Sequence, residues 1–104
     1  MLFRSSQRRF SLLPDVPAVA ESGLSDYDII AWFGLFAPAK TPPAVLTALG
    51  NEMRRYLTSA EAKEEYQKVG HEAIGSTPEQ LNQLVRSDTA KYERVIREAN
   101  IRLE

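Results

Sequence analysis

The sequence predicts an α/β fold, a small sheet packed with helices. Three observations point to it. Residues 27–36 are rich in aromatic and β-branched side chains, the composition of a strand. Apolar residues recur at spacings of three and four over 45–57 and again over 81–99, as on one face of a helix. Hydroxyl, proline and glycine residues punctuate the chain where such elements begin and end. The predicted order is turn, α, β, α, α, β, α, an alternation that argues an α/β layer.

The elements follow in chain order. Pro14 and Pro17 bracket Asp15 and Val16. Proline restricts its own φ and the residue before it, so Leu13–Val16 is expected as an extended turn. Pro17 suits the first turn of a short helix ending near Ser22, and Gly23 can take the left-handed position that closes it. In the strand, Tyr27, Ile29 and Ala31 alternate onto one face, whereas Trp32–Ala37 is apolar on both. A strand of that kind is expected to be covered on both sides. Gly34 within it permits a bulge or a close backbone approach.

Thr41-Pro42 reads as an N-cap followed by proline at the first helical position. Val45, Leu46, Leu49, Met53, Tyr56 and Leu57 form the apolar stripe of that helix, and Gly50 costs it about 1 kcal/mol relative to alanine. Ser59 is expected to cap a shorter helix through Lys68 that Gly70 ends, and His71–Ile74 reads as a short strand. Thr77-Pro78-Glu79-Gln80 combines an N-cap, a proline and a capping-box glutamine. The helix it starts runs to Ala99, with Leu81, Leu84, Val85, Tyr92, Val95, Ile96 and Ala99 facing inward. Asn100 can supply a left-handed C-cap, with Ile101 packing back behind it.

The totals bound the function classes. A chain of 104 residues makes one domain at most, expected over 11–104, with 1–10 a disordered tail or one foreign to the natural chain. The net charge is −1, so no field of one sign attracts nucleic acid or anionic lipid. With no cysteine, disulfide and thiolate chemistry are excluded. The longest apolar run, Ile29–Ala39, is shorter than the roughly 20 residues of a spanning helix. The N-terminus MLFRSSQRRF is basic like a signal peptide, but no apolar stretch follows it.

Little here predicts catalysis. His71 is the lone histidine, and a general base needs a positioned partner and nucleophile. It reads as a turn residue. No His, Cys or carboxylate spacing suggests a metal, and no cofactor motif is present. Glu61, Glu64 and Glu65, interleaved with Lys63 and Lys68, read as a solvated helix face. Gly75-Ser76-Thr77 precedes a helix N-terminus, whose free N–H groups can bind an anion, but Thr77 and Gln80 are expected to cap it themselves. The remaining candidates are Asp15, in the proline-bracketed turn, and Trp32, in the strand. Each has a plain structural reading, a turn former for Asp15 and core packing for Trp32. Each also has a functional one, contact with a bound solute.

Several segments carry a resemblance: LLPDVPAVAESGL at Leu12–Leu24, WFGLFAPAKTP at Trp32–Pro42, the helical Leu49–Gly70, Gly75–Glu79, and REANIRLE at Arg97–Glu104. In this order and spacing they resemble the C-terminal part of the substrate-binding proteins of tripartite tricarboxylate transporters, the Bug or TctC family. The resemblance implies part of one lobe of a periplasmic-binding-protein-like Venus flytrap, in which two α/β lobes enclose a solute. It implies a non-catalytic, periplasmic receptor for small carboxylates, di- or tricarboxylates or amino acids, that delivers them to a membrane permease. Pro14–Gly23 would then lie near the crossing between lobes, with Trp32–Phe36 and the following helices in the first lobe. The chain is expected to be a fragment, lacking the N-terminal two-thirds and the glycine-rich loops around the ligand. An incomplete sheet leaves edges exposed, so a homodimer is expected. The alternative function is a remnant that binds no solute and acts only by self-association.

Overall fold

The computed structural model describes residues 3–102. Met1, Leu2, Leu103 and Glu104, at the ends of the expected tail and of the REANIRLE segment, lie outside the described residues. The chain divides into two compact units, Met1–Leu35 and Phe36–Glu104.

The first unit is built from turns. Its one regular element among the described residues is a short 3₁₀ helix, Val19–Ser22, where the sequence predicted a helix from Pro17. Gly23 closes it at φ 102°, the left-handed conformation expected of it. Arg4 makes a parallel bridge to Ala18: its N–H donates to the Pro17 carbonyl, and its own carbonyl accepts from Val19, both at 2.9 Å. The Ile29 N–H donates to the Ser5 carbonyl at 2.8 Å.

Among the described residues the second unit holds three helices, α1 (Pro43–Leu57), α2 (Ala60–Lys68) and α3 (Pro78–Glu98). Helix α1 starts one residue later than predicted. Pro42 is itself followed by a proline, which holds it extended at ψ 138°, so it becomes the N-cap and Pro43 the first helical residue. At α2, the Ser59 hydroxyl accepts from the Ala62 N–H at 3.1 Å. Gly70, at φ 78°, closes it with two reverse bonds, Gly70 N–H to Gln67 and His71 N–H to Tyr66. At α3, Thr77 and Gln80 exchange the reciprocal bonds of a capping box, at 2.8 and 3.2 Å. Asn100, at φ 52°, ends α3 by the same reverse pattern, with the Ile101 N–H bonded to the Ile96 carbonyl.

The expected sheet does not form among the described residues. Residues 27–36 and 71–74 carry no strand, and the Arg4–Ala18 bridge is isolated. The physical reason is that a strand is stabilised by its neighbour's ladder rather than by its own sequence, and among the described residues neither segment enters a ladder, the Ile29–Ser5 bond standing alone. Burial follows the same rule. The apolar stripe of α1 has the predicted period, yet Val45, Leu46, Leu49, Met53 and Tyr56 are exposed. Among the described residues the buried apolar side chains are Ala18 and Ala62, and no large side chain is fully enclosed.

Helix α1 meets α2 through the Tyr56 hydroxyl, which donates to Glu65 Oε2 at 2.9 Å. That bond holds the Tyr56 phenol above its ordinary pKa, since the phenolate would face a carboxylate. The 70–77 connection packs tightly on the end of α1. A Cβ on Gly75 would stand 2.8 Å from Thr58 Cγ2 and 3.1 Å from Arg54 Cγ, so an added side chain forces a neighbour to shift.

Candidate functional site

Several polar contacts of the first unit meet at the proline-bracketed turn. Two successive β-turns build it, closed by the Leu13 N–H on the Phe10 carbonyl and the Val16 N–H on the Leu13 carbonyl. Pro14 takes the second position of the latter turn, where its fixed φ is already suited.

Arg9 clamps the turn from one side. Its Nε lies 3.0 and 2.9 Å from the two Glu21 carboxylate oxygens, Nη2 lies 2.9 Å from Oε1, and Nη1 donates to the Pro14 carbonyl at 2.9 Å. Glu21 Oε2 also accepts the Ala18 N–H at 2.7 Å, which caps the 3₁₀ helix. One guanidinium and one carboxylate thus join the turn to the helix behind it. A planar fork is suited to this because two parallel bonds fix direction as well as distance. The Arg9 fork and the Ala18 N–H together hold the Glu21 carboxyl below its ordinary value. Glu21 in turn raises Arg9, and Asp15 adds a smaller push in the same direction. Beside the clamp, the Arg4 guanidinium stacks 4.6 Å from the Phe10 ring centre.

Asp15 stands exposed at the tip of this turn, within electrostatic reach of Arg9. Trp32 is half-buried in the extended segment. Both belong to the first unit. The Arg9–Glu21 clamp had no signal in the sequence beyond two opposite charges flanking a proline-rich turn, because its spacing of 12 residues matches no regular element.

In the second unit, Asp88 is buried at 7% exposure and pairs with Lys91 at 3.0 Å. Sequence reasoning passed over it, although a readable signal was there. Asp88 falls four residues after Leu84 and four before Tyr92, a charge set into an otherwise apolar stripe. His71 follows the glycine that closes α2. A cleft among Lys63, Gln67, Glu72 and Ala73 measures about 100 Å³. Pockets that enclose small ligands run from about 300 Å³ upward, so this one holds water at most. Among the described residues no helix is long and apolar enough to cross a membrane.

Residues 1–101 match the profile of the tripartite tricarboxylate transporter family receptor, TctC. A UPF0065 protein from the tcbD–tcbE intergenic region of a Pseudomonas species is 33% identical over 93 residues, covering 88% of this chain and 28% of that protein. BugT of Bordetella pertussis is 26% identical over 99 residues, covering 95% of this chain and 30% of that protein. The R. palustris protein Rpa4515, solved with adipate, superposes with a TM-score of 0.82 and 28% identity, over 93% of this chain and 32% of its own. The chain therefore spans about a third of the length of these relatives. Matched along almost all of its length, the chain belongs to the tripartite tricarboxylate transporter receptor family.

Proposed function

We propose that this chain contributes part of one lobe to a periplasmic flytrap receptor, which captures a small carboxylate and passes it to the membrane permease of its transporter. The receptor works by binding and turns nothing over. The observation that carries this reading is the likeness in fold to Rpa4515, a protein solved with adipate. In such a lobe the extended residues 27–36 and 71–74 become strands once neighbouring strands flank them.

Asp15 and Trp32 are the proposed ligand-proximal residues. A half-buried indole offers apolar surface to the carbon chain of the solute. Asp15 is harder to place against a dicarboxylate, since like charges repel. Its chemistry suits a solute that also brings an ammonium or hydroxyl group, which it can accept, so an amino acid fits it better. Its substitution therefore reports on the solute class.

The test is thermal melting with a panel of dicarboxylates, tricarboxylates and acidic amino acids. A ligand at 100 times its dissociation constant adds about 2.7 kcal/mol of stability. One member of the panel is expected to raise the melting temperature. Asp15→Asn then weakens an amino acid and strengthens a dicarboxylate, while Trp32→Ala weakens either. A cooperative melt that no carboxylate moves rejects solute binding by this chain. It favours instead the second reading, a self-associating module that binds no solute. The observation behind that reading is the large apolar area exposed around residues 33–36.

A further inference from the structure

We infer that the Arg4 guanidinium receives the carboxylate of the solute, and so sets a preference for carboxylates over uncharged solutes. The inference rests on the receptor reading above and adds the charged group which that reading lacks. A carboxylate needs a cation, and Asp15 and Trp32 supply none.

The first unit offers few cations. Over Met1–Leu35, Arg4, Arg8 and Arg9 stand against Asp15, Glu21, Asp26 and Asp28. The balance is negative, so net charge draws no carboxylate there and a placed cation must. Arg9 is committed to Glu21 and to the Pro14 carbonyl. Arg8 is exposed, and its bond with the Ser6 hydroxyl engages its backbone carbonyl and leaves its side chain unheld.

Arg4 differs from both. It is half-buried, and it lies inside the part of the chain that matches the receptor family. Its backbone is fixed in both directions, by the Pro17 carbonyl and the Val19 N–H. Its guanidinium lies over the Phe10 ring, and among the described residues no carboxylate pairs with it. A ring engages the face of a guanidinium and leaves the N–H donors at its edge. Those donors form the fork that matches the two oxygens of a carboxylate. The ring also restrains the side chain before a solute arrives, which lowers the ordering cost of binding.

The position suits the role. The Arg4 N–H bonds to Pro17, two residues after Asp15, which is about 7 Å of chain at most. Arg4 and Asp15 therefore flank one turn. An amino acid can place its carboxylate on Arg4 and turn its ammonium toward Asp15, whereas a dicarboxylate has Arg4 alone.

The experiment is calorimetric titration of the full chain with succinate, adipate, citrate and glutamate, and with adipamide as the uncharged control. At least one of the four acids is expected to bind, and adipamide is not. Arg4→Gln is expected to weaken that binding at least about tenfold, the loss of a charge-assisted pair of bonds. Arg8→Gln makes the same change in net charge and is expected to stay within twofold of the wild type. The Nε–H resonance of Arg4 in the wild-type chain is expected to shift on titration. That measurement decides alone if circular dichroism shows that Arg4→Gln disturbs folding. The inference is overturned, with the receptor reading intact, in any of three cases where an acid binds. In the first, Arg4→Gln stays within twofold. In the second, Arg8→Gln weakens binding as much as Arg4→Gln does. In the third, the shift falls on other arginines and spares Arg4. Adipamide binding as tightly as adipate also overturns it. If none of the four acids binds the wild-type chain, solute binding by this chain and the role of Arg4 fall together.

Discussion

The two units are held by different kinds of contact. In the second, α2 and α3 are closed by residues within or next to them: Ser59 on Ala62, Thr77 and Gln80 on each other, Gly70 and Asn100 at the far ends. In the first, the joins are long in sequence: Arg4 to Ala18, Ser5 to Ile29, Arg9 to Glu21. A helix satisfies its own backbone, and a strand-like segment borrows a partner. The second unit is therefore organised by local chemistry, and the first by a few side chains that reach across it.

The largest effect is expected where the second unit departs from its local rule. Gly75→Ala forces a methyl against Thr58 and against the Arg54 carbonyl, 3.3 Å from the added carbon. The expected cost is about 1–3 kcal/mol, as for overpacking, read from chemical denaturation. A neutral result would show that the 70–77 connection moves freely on α1. A smaller loss, about 1 kcal/mol, is expected from Thr77→Ala, which removes the N-cap of α3. Restoration by Thr77→Ser would establish the cap, and not the methyl group, as the cause.

The smallest effect belongs to the first unit and is a matter of pH. Glu21 is held below its ordinary value of 4.5, first by Arg9 and then by the Ala18 N–H. A carboxylate depressed on folding contributes stability above its unfolded value, and that contribution is lost as pH falls through the folded one. The pair is half-exposed and screened by water, so the contribution is small. Amide exchange at Ala18 should quicken as pH drops below the ordinary carboxylate range, after correction for intrinsic rates. Glu21→Gln should abolish that dependence. Equal acid sensitivity in α3 amides would mean that the clamp is not the group titrating.

Much of the fold was legible. The cap residues of α2 and α3, the left-handed Gly23 and Asn100, the stop at Gly70, and the apolar period of α1 were all readable from spacing. The start of α1 was misread by one residue because Pro43 acts on Pro42, an effect of two prolines in succession. The strands were legible as composition but not as structure. The candidate site was less legible. Asp15 and Trp32 were chosen by residue type, while the Arg9 fork that organises the turn depends on an approach no periodicity encodes.

The sequence by itself determined where helices begin and end and which of their faces is apolar, because these are interactions among residues a few positions apart. Tertiary structure alone decided that Arg9 meets Glu21 and Pro14, that Gly75 comes up against Thr58 and Arg54, and that much of the α1 stripe and of Phe33, Leu35 and Phe36 is left exposed. The reason is that burial and ladder pairing belong to two surfaces at once. A sequence can prepare one surface, but only the fold, or a partner, supplies the other.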